Sequence, residues 1–129
     1  FGMLDLKLHM SNDGKDFDDF IQVSNEIMAD VYLDPPSDTA FVASFGHLGG
    51  GYDAGYYGYA WAESISADLA SIFKDSPDGL MDSKVGKRLR DEIYARGGSR
   101  EIDESIYAFL GRERSLQPFF DYIGLAENK

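Results

Sequence analysis

The chain has no cysteine among its 129 residues, so neither a disulfide framework nor thiolate chemistry is available to it. It also lacks any apolar run close to the roughly 18 residues that span a bilayer. Basic residues are scarce, since 12 Lys and Arg face 23 Asp and Glu for a net charge of -11. Phosphate groups repel so acidic a chain, so we expect neither nucleic acid nor a membrane among its partners.

Histidine is also scarce, with only His9 and His47 in the chain. Asp5 and His9 are four residues apart, which would allow them to share a metal ion on a helix, but no third ligand is near them in sequence. The acidic run from Asp13 to Asp19 lacks the spacing of a calcium loop and is typical of a solvated helix start. We therefore interpret Asp5 and His9 as a surface pair and predict no metal site in this chain.

Apolar residues recur at helical intervals along most of the chain, which predicts an all-α fold in a single domain over residues 1–129. Turn chemistry separates the predicted helices. These helices cover residues 1–10, Asp16 to Val31, about Ala54 to Lys74, a segment capped by Asp82 or Ser83 and stopped at Gly97-Gly98, Glu101 to Leu110, and Ser115 to Gly124. The apolar stretch from Phe41 to Phe45 stays open between one short strand and an extended segment.

One segment is unusually rich in tyrosine and glycine. Four of the eight tyrosines, Tyr52, Tyr56, Tyr57 and Tyr59, lie within eight residues, and Gly46-His47-Leu48-Gly49-Gly50-Gly51 precedes them. If this segment is helical, Tyr52, Tyr56, Tyr59 and Glu63 share one face. Trp61 then begins an apolar face with Ile65, Leu69 and Ile72. A phenol donates a hydrogen bond while remaining neutral, which suits a site that stabilises a developing oxyanion.

Other interpretations of the same segment remain open. Tyrosines on a half-buried helix face often belong to a core and expose only their hydroxyls, and we weigh this interpretation about equally with a functional one. The run from Gly49 to Ala54 also matches a dinucleotide-binding fingerprint. That match is weak because the strand that should precede the glycines and the further parallel strands are absent.

The run from Phe45 to Glu63, FGHLGGGYDAGYYGYAWAE, resembles the C-terminal catalytic segment of the thimet oligopeptidase and neurolysin family of zinc metallopeptidases. Further similarity lies in Asp82–Gly86, Arg96–Ser99 and Phe109–Arg112, in the order and spacing of that family. The resemblance implies that residues 1–129 form the C-terminal helical part of a zincin-like oligopeptidase domain.

In that family, a helix with His-Glu-x-x-His and a later Glu bind zinc, and the resemblance places these residues upstream of Phe1. Zinc is thus implied for the full-length enzyme, and none for this chain alone. The resemblance implies that His47, Tyr52 and Tyr59 are catalytic residues that stabilise the transition state. It also implies that Tyr56, Gly49, Gly50 and Gly51 bind substrate, the glycines as the hinge of a loop that closes over the peptide.

The chain starts at Phe1 in the middle of an apolar pattern, so we expect it to be a piece of a longer protein that is inactive alone. Its expected partners are short peptides and the upstream part of the same protein, in the cytoplasm or alternatively in mitochondria. Apolar surface that the upstream part would cover, along Leu4, Leu8, Phe41 and Phe45, predicts self-association. The alternative function is a non-catalytic helical module that binds a peptide or a protein.

Overall fold

The structure is a computed structural model that describes residues 1–10 and 19–125. Within these ranges all regular elements are helical and no strand occurs, so the predicted all-α class is confirmed. The helices are α1 (Gly2–His9), α2 (Phe20–Val31), α3 (Phe41–Ser44), α4 (Gly58–Lys74), α5 (Ser83–Leu89), α6 (Ile102–Leu110) and α7 (Gln117–Tyr122). None of the described helices is long and apolar enough to cross a membrane. The predicted acidic helix start at Asp13 to Asp19 lies outside the described residues except for Asp19, which caps α2.

The chain forms two compact units, one from Phe1 to Tyr59 and one from Ala60 onward. The single-domain organisation over residues 1–129 is not decided by this division and stays a prediction.

In the first unit, the stretch that the sequence left between a strand and an extended segment is helical. Phe41–Ser44 forms one helical turn, so both of those expectations are wrong. The turn brings the rings of Phe41 and Phe45 to a centroid distance of 5.2 Å, and Phe1 stacks on Phe41 at 4.9 Å. Contact between rings four residues apart favours a helical turn, because a strand would separate their Cα atoms by about 13 Å.

In the second unit, the core forms around α6. Ile106, Phe109 and Leu110 are buried, and apolar side chains of α4, α5 and the π-helical turn Arg90–Tyr94 pack against them. The predicted apolar stripe of α4 faces this core through Ile65, Leu69 and Ile72. Trp61, which we placed on the same stripe, is 58% exposed, and the guanidinium of Arg114 lies over its ring.

Three helix ends of the second unit follow the predicted caps, whereas the segment that starts after Asp82 is helical only to Tyr94, before the predicted stop at Gly97-Gly98. The Asp82 carboxylate accepts hydrogen bonds from the amides of Lys84 and Val85 at the start of α5. Gly111 is left-handed, with a φ of 71°, and its amide donates a hydrogen bond to the main-chain oxygen of Tyr107 at the end of α6. Pro118 lies in the first turn of α7.

A buried carboxylate on α4 binds the segment that follows α6. Asp68 is 1% exposed, and its two oxygens accept from Arg112 at 2.6 and 3.1 Å and from the Ser115 amide at 2.7 Å. Burial alone would raise the pKa of Asp68, but the hydrogen bonds from Arg112 and Ser115 outweigh it and lower the pKa below its ordinary value. Asp68 therefore remains ionised and fixes Arg112 in the fold.

The residues predicted to expose apolar surface are not the exposed ones. Leu4 is fully buried, Phe45 is 8% exposed, and Leu8 and Phe41 are half-buried. The rings of Phe41 and Phe45 pack against each other and against Phe1. Large apolar side chains are exposed elsewhere, among them Met3, Met10, Tyr32, Leu33, Leu80 and Met81. Self-association stays a prediction, but the apolar surface that would drive it is formed by other residues than those we named.

Candidate functional site

The imidazole of His47 lies among three tyrosine rings of the first unit. His47 belongs to a 3₁₀ turn, Gly46–Gly49, and the centroid of its ring is 5.6 Å from Tyr52, 5.0 Å from Tyr56 and 6.1 Å from Tyr59. We call these four side chains the tyrosine cluster. All four were singled out from the sequence, and the structure brings the three tyrosines together around the imidazole of His47.

The polar ends of the tyrosine cluster are accessible. The Tyr59 hydroxyl is 3.5 Å from Nε2 of His47, and the Tyr59 ring is 4.9 Å from that of Tyr56. Tyr52 and Tyr59 are 63% and 57% exposed, so their hydroxyls are open to an incoming ligand. The arrangement offers neutral hydrogen-bond donors next to an imidazole, a combination that can bind a carbonyl oxygen and stabilise negative charge on it.

The tyrosine cluster rests on an apolar layer. The ring of Phe45, which is buried, lies 5.5 Å from His47 and 5.2 Å from Tyr56, and Phe1 approaches Tyr56 at 5.6 Å. Close packing against these phenylalanine rings limits the rotation of the His47 and Tyr56 rings.

The helix that we predicted from Ala54 begins four residues later, at Gly58. Ala54 has a φ of 55°, in the left-handed region, and a helix cannot run through such a residue. Tyr52 and Tyr56 therefore lie on turns before α4, and Tyr59 is in its first turn. The helical spacing that we used to group the phenols was wrong, although the phenols do converge.

Two of the three glycines predicted to form a hinge have local reasons to be glycine. A Cβ at Gly50 would lie 2.7 Å from the Gly46 carbonyl oxygen, and Gly51 has a φ of 87°. A Cβ at Gly49 would meet nothing within 4 Å. The turn after His47 thus closes tightly, which an ordinary residue at Gly50 would prevent.

The interpretation of Asp5 and His9 as a surface pair is wrong for Asp5. The Asp5 carboxylate is 0% exposed and accepts hydrogen bonds from the amides of Ala54 and Tyr56, at 3.0 and 2.9 Å. The sequence showed that Asp5 lies four residues before His9. It gave no indication that Asp5 binds two amides about fifty residues away. Asp5 is the residue beside the candidate site that sequence reasoning missed.

Comparison with known proteins decides the family. The model of peptidase family M3 matches residues 1–125. The chain belongs to peptidase family M3. This confirms the resemblance seen in the run from Phe45 to Glu63.

Three relatives illustrate this membership of family M3. The chain is 38% identical to a thimet-like oligopeptidase of Dictyostelium discoideum over 95% of its own length and 18% of the relative's. It is 37% identical to a probable cytosolic oligopeptidase A of Arabidopsis thaliana, over 97% of the chain and 18% of the relative. It is also 37% identical to an organellar oligopeptidase A, chloroplastic/mitochondrial, of the same plant, over 97% of the chain and 16% of the relative. The chain thus spans less than a fifth of these family M3 proteins.

The zinc ion that the resemblance implies for the full-length enzyme has no ligand set among the described residues of this family M3 chain. Across residues 1–10 and 19–125, no three His, Asp or Glu side chains converge as metal ligands. The pair that we considered, Asp5 and His9, is instead hydrogen-bonded, with Nδ1 of His9 2.8 Å from the Asp5 main-chain oxygen.

The left-handed Ala54 allows a prediction about stability. We expect Ala54→Gly to stabilise the chain by about 0.5–1 kcal/mol, because relief of a left-handed penalty of about 1–2 kcal/mol exceeds the extra entropy of glycine in the unfolded chain. Thermal unfolding followed by circular dichroism measures the change. The matched control, Ala29→Gly at an exposed position within α2, should destabilise by about 1 kcal/mol. If both variants changed the stability in the same direction, the prediction would be contradicted.

Proposed function

We propose that this chain forms the substrate-binding and transition-state-stabilising part of the active site of a family M3 oligopeptidase. The observation that supports the proposal most is the tyrosine cluster, in which three tyrosines surround the His47 ring at centroid distances of 5.0–6.1 Å. Membership of family M3, with relatives named oligopeptidases, supports peptides as the substrates.

The proposed chemistry follows from the donors. Hydrolysis of a peptide bond develops negative charge on the carbonyl oxygen, and a positioned neutral donor stabilises that charge more than it stabilises the substrate. In the proposal, Tyr52 and Tyr59 donate to this oxygen and His47 assists them. Tyr56 contacts the peptide, and Gly49, Gly50 and Gly51 allow the turn after His47 to close over it.

The proposal assigns the metal to residues outside this chain. Zinc would activate the attacking water when bound by the His-Glu-x-x-His helix that the resemblance implies. The 129 residues alone are then expected to bind peptide without cleaving it.

The test compares the chain alone with the gene product that contains these 129 residues. We expect the gene product to cleave a quenched fluorescent peptide with added zinc, a chelator to stop the reaction, and the chain alone to be inactive. Chelator-sensitive turnover by the chain alone would contradict the proposal, because it would require a metal site within the chain. Peptide binding without turnover by the gene product would favour the non-catalytic helical module instead.

For the location we propose the cytoplasm, with mitochondria as the alternative. One plant relative is named as probably cytosolic and another as organellar. The net charge of -11 argues against nucleic acid as a partner.

A further inference from the structure

Asp5 connects α1 with the turn that carries the tyrosines. Its carboxylate is fully buried, and Oδ1 accepts from the amide of Ala54 at 3.0 Å while Oδ2 accepts from the amide of Tyr56 at 2.9 Å. A buried carboxylate is costly unless it is hydrogen-bonded, and two main-chain amides are strong partners for it. The two amides lie on either side of a sharp bend in the backbone at Ala54.

Ala54 provides that bend. Its φ of 55° is unfavourable for any residue with a Cβ, and such a conformation persists only where the surroundings enforce it. Two contacts hold it here. The Gly55 amide donates to the main-chain oxygen of Tyr52 at 3.0 Å. The carboxylate of Asp5 binds the amide of Ala54 itself and the amide two residues later. The position of Tyr56, and with it the ring that lies 5.0 Å from His47, depends on these contacts.

His9, one turn further along α1, contacts the main chain of the residue that follows His47. Its Nε2 is 3.1 Å from the main-chain oxygen of Leu48, and its Nδ1 faces the main-chain oxygen of Asp5 at 2.8 Å. Both ring nitrogens thus face acceptors, and only the protonated imidazole can donate to both. Asp5 and Asp53 are the charged groups that act on His9.

The electrostatics agree with this geometry. The pKa of His9 is raised above its ordinary value, chiefly by the hydrogen bond to the main-chain oxygen of Asp5. The hydrogen bond to Leu48 and the charges of Asp5 and Asp53 act in the same direction, and burial opposes them.

We propose that Asp5 is a positioning residue, which sets the turn of the tyrosine cluster through Ala54 and Tyr56, and that His9 assists it through Leu48. The inference rests on the proposed function, since it concerns how the same site is held in place. Neither Asp5 nor His9 needs to touch the substrate. Their loss misplaces groups that must be aligned in the transition state, so kcat should fall more than KM rises.

The test is Asp5→Asn in the gene product that contains this chain. The amide keeps one acceptor but turns an NH₂ group towards the second main-chain amide, so one of the two hydrogen bonds is lost. The variant also removes the charge that lies 3.1 Å from Nδ1 of His9. We expect kcat to fall about 10–100-fold with KM changed less than about threefold, as for a misplacement of catalytic groups. The matched control is Asp30→Asn, an exposed position on α2, which should leave both constants unchanged.

Two further measurements separate positioning from general stability. Amide hydrogen exchange should become faster in residues 46–57 of Asp5→Asn while the helices of the second unit keep their protection. In the Tyr59→Phe background, Asp5→Asn should lower kcat much less than it does alone, because both changes act through the same cluster. Faster exchange throughout the protein, or additive losses of kcat, would overturn the proposal.

His9→Gln serves as a second variant, because His9 is partly exposed and its replacement should not unfold the unit. We expect a smaller loss of kcat, about 3–10-fold, and faster exchange near Leu48. Unchanged exchange in His9→Gln would overturn the assisting role of His9. If the unaltered gene product proves inactive, the proposed function fails, while the exchange in Asp5→Asn still decides whether Asp5 holds the turn.

Discussion

We expect Tyr59→Phe to lower kcat for peptide hydrolysis by about 10²–10³-fold in the gene product that contains this chain, which is the usual effect of removing one oxyanion donor. The change removes a single hydroxyl, which lies 3.5 Å from Nε2 of His47 and belongs to a side chain that is 57% exposed. The ring that contacts Tyr56 remains.

We expect a large effect on kcat and a small one on KM because the hydroxyl acts mainly in the transition state. A phenol that donates mainly to a developing oxyanion contributes little to the binding of the uncharged carbonyl. Loss of the donor therefore raises the barrier of the chemical step and leaves the affinity for the peptide nearly unchanged.

Tyr57→Phe is the matched control. Tyr57 is 54% exposed, undergoes the same loss of a hydroxyl and lies two residues from Tyr59. It has no part in the tyrosine cluster as we define it, so kcat should stay within about twofold of the unaltered protein. Equal losses in the two variants, or a Tyr59→Phe protein with nearly full kcat, would contradict the role of Tyr59 as a donor.

Much of the fold could be predicted because local chemistry determines it. Asp82, Gly111 and Pro118 act at helix ends, where side-chain and backbone preferences operate within a few residues, and all three are where the sequence placed them. The stretch from Phe41 to Ser44 could not be assigned, because a four-residue helix gives too short a pattern to distinguish periods of 2 and 3.6.

The candidate site shows the same division between local and distant effects. His47 and the tyrosines were found because their residue types suit the chemistry, and a short segment contains them all. We predicted that the tyrosines share one face of a helix, but the left-handed Ala54 prevents a helix from running through the segment. Asp5 binds this interruption of the helix through contacts to Ala54 and Tyr56, which span about fifty residues of sequence, a separation that no spacing rule covers.

The second large effect concerns stability. We expect Asp68→Asn to lower the free energy of unfolding of the second unit by about 2–3 kcal/mol. Asparagine has one acceptor where the carboxylate has two, so either orientation turns an NH₂ group towards a donor of Arg112 or the Ser115 amide. The loss is smaller than the roughly 3–5 kcal/mol of a fully buried pair, because Arg112 is 42% exposed and water can solvate it.

The pH dependence of this effect has a definite sign. The pKa of Asp68 is lower in the folded protein than its unfolded value of about 3.9, so its ionised form stabilises the fold. The difference between the unaltered chain and Asp68→Asn should therefore be constant above about pH 5. It should shrink as the pH falls below about 3.9 and be lost below the folded pKa.

Urea unfolding of the 129-residue chain, followed by the fluorescence of its one tryptophan, measures both effects, since Trp61 lies two turns before Asp68 on α4. Asp103→Asn is the control, because Asp103 is 79% exposed and pairs with Arg114 at 3.7 Å at the surface, where an ion pair contributes little. A loss in Asp68→Asn no larger than that in Asp103→Asn would contradict the prediction. A clearly larger loss in Asp68→Asn would show why the similarity from Phe109 to Arg112 includes an arginine at its end. Arg112 neutralises the carboxylate of Asp68, which is buried on α4.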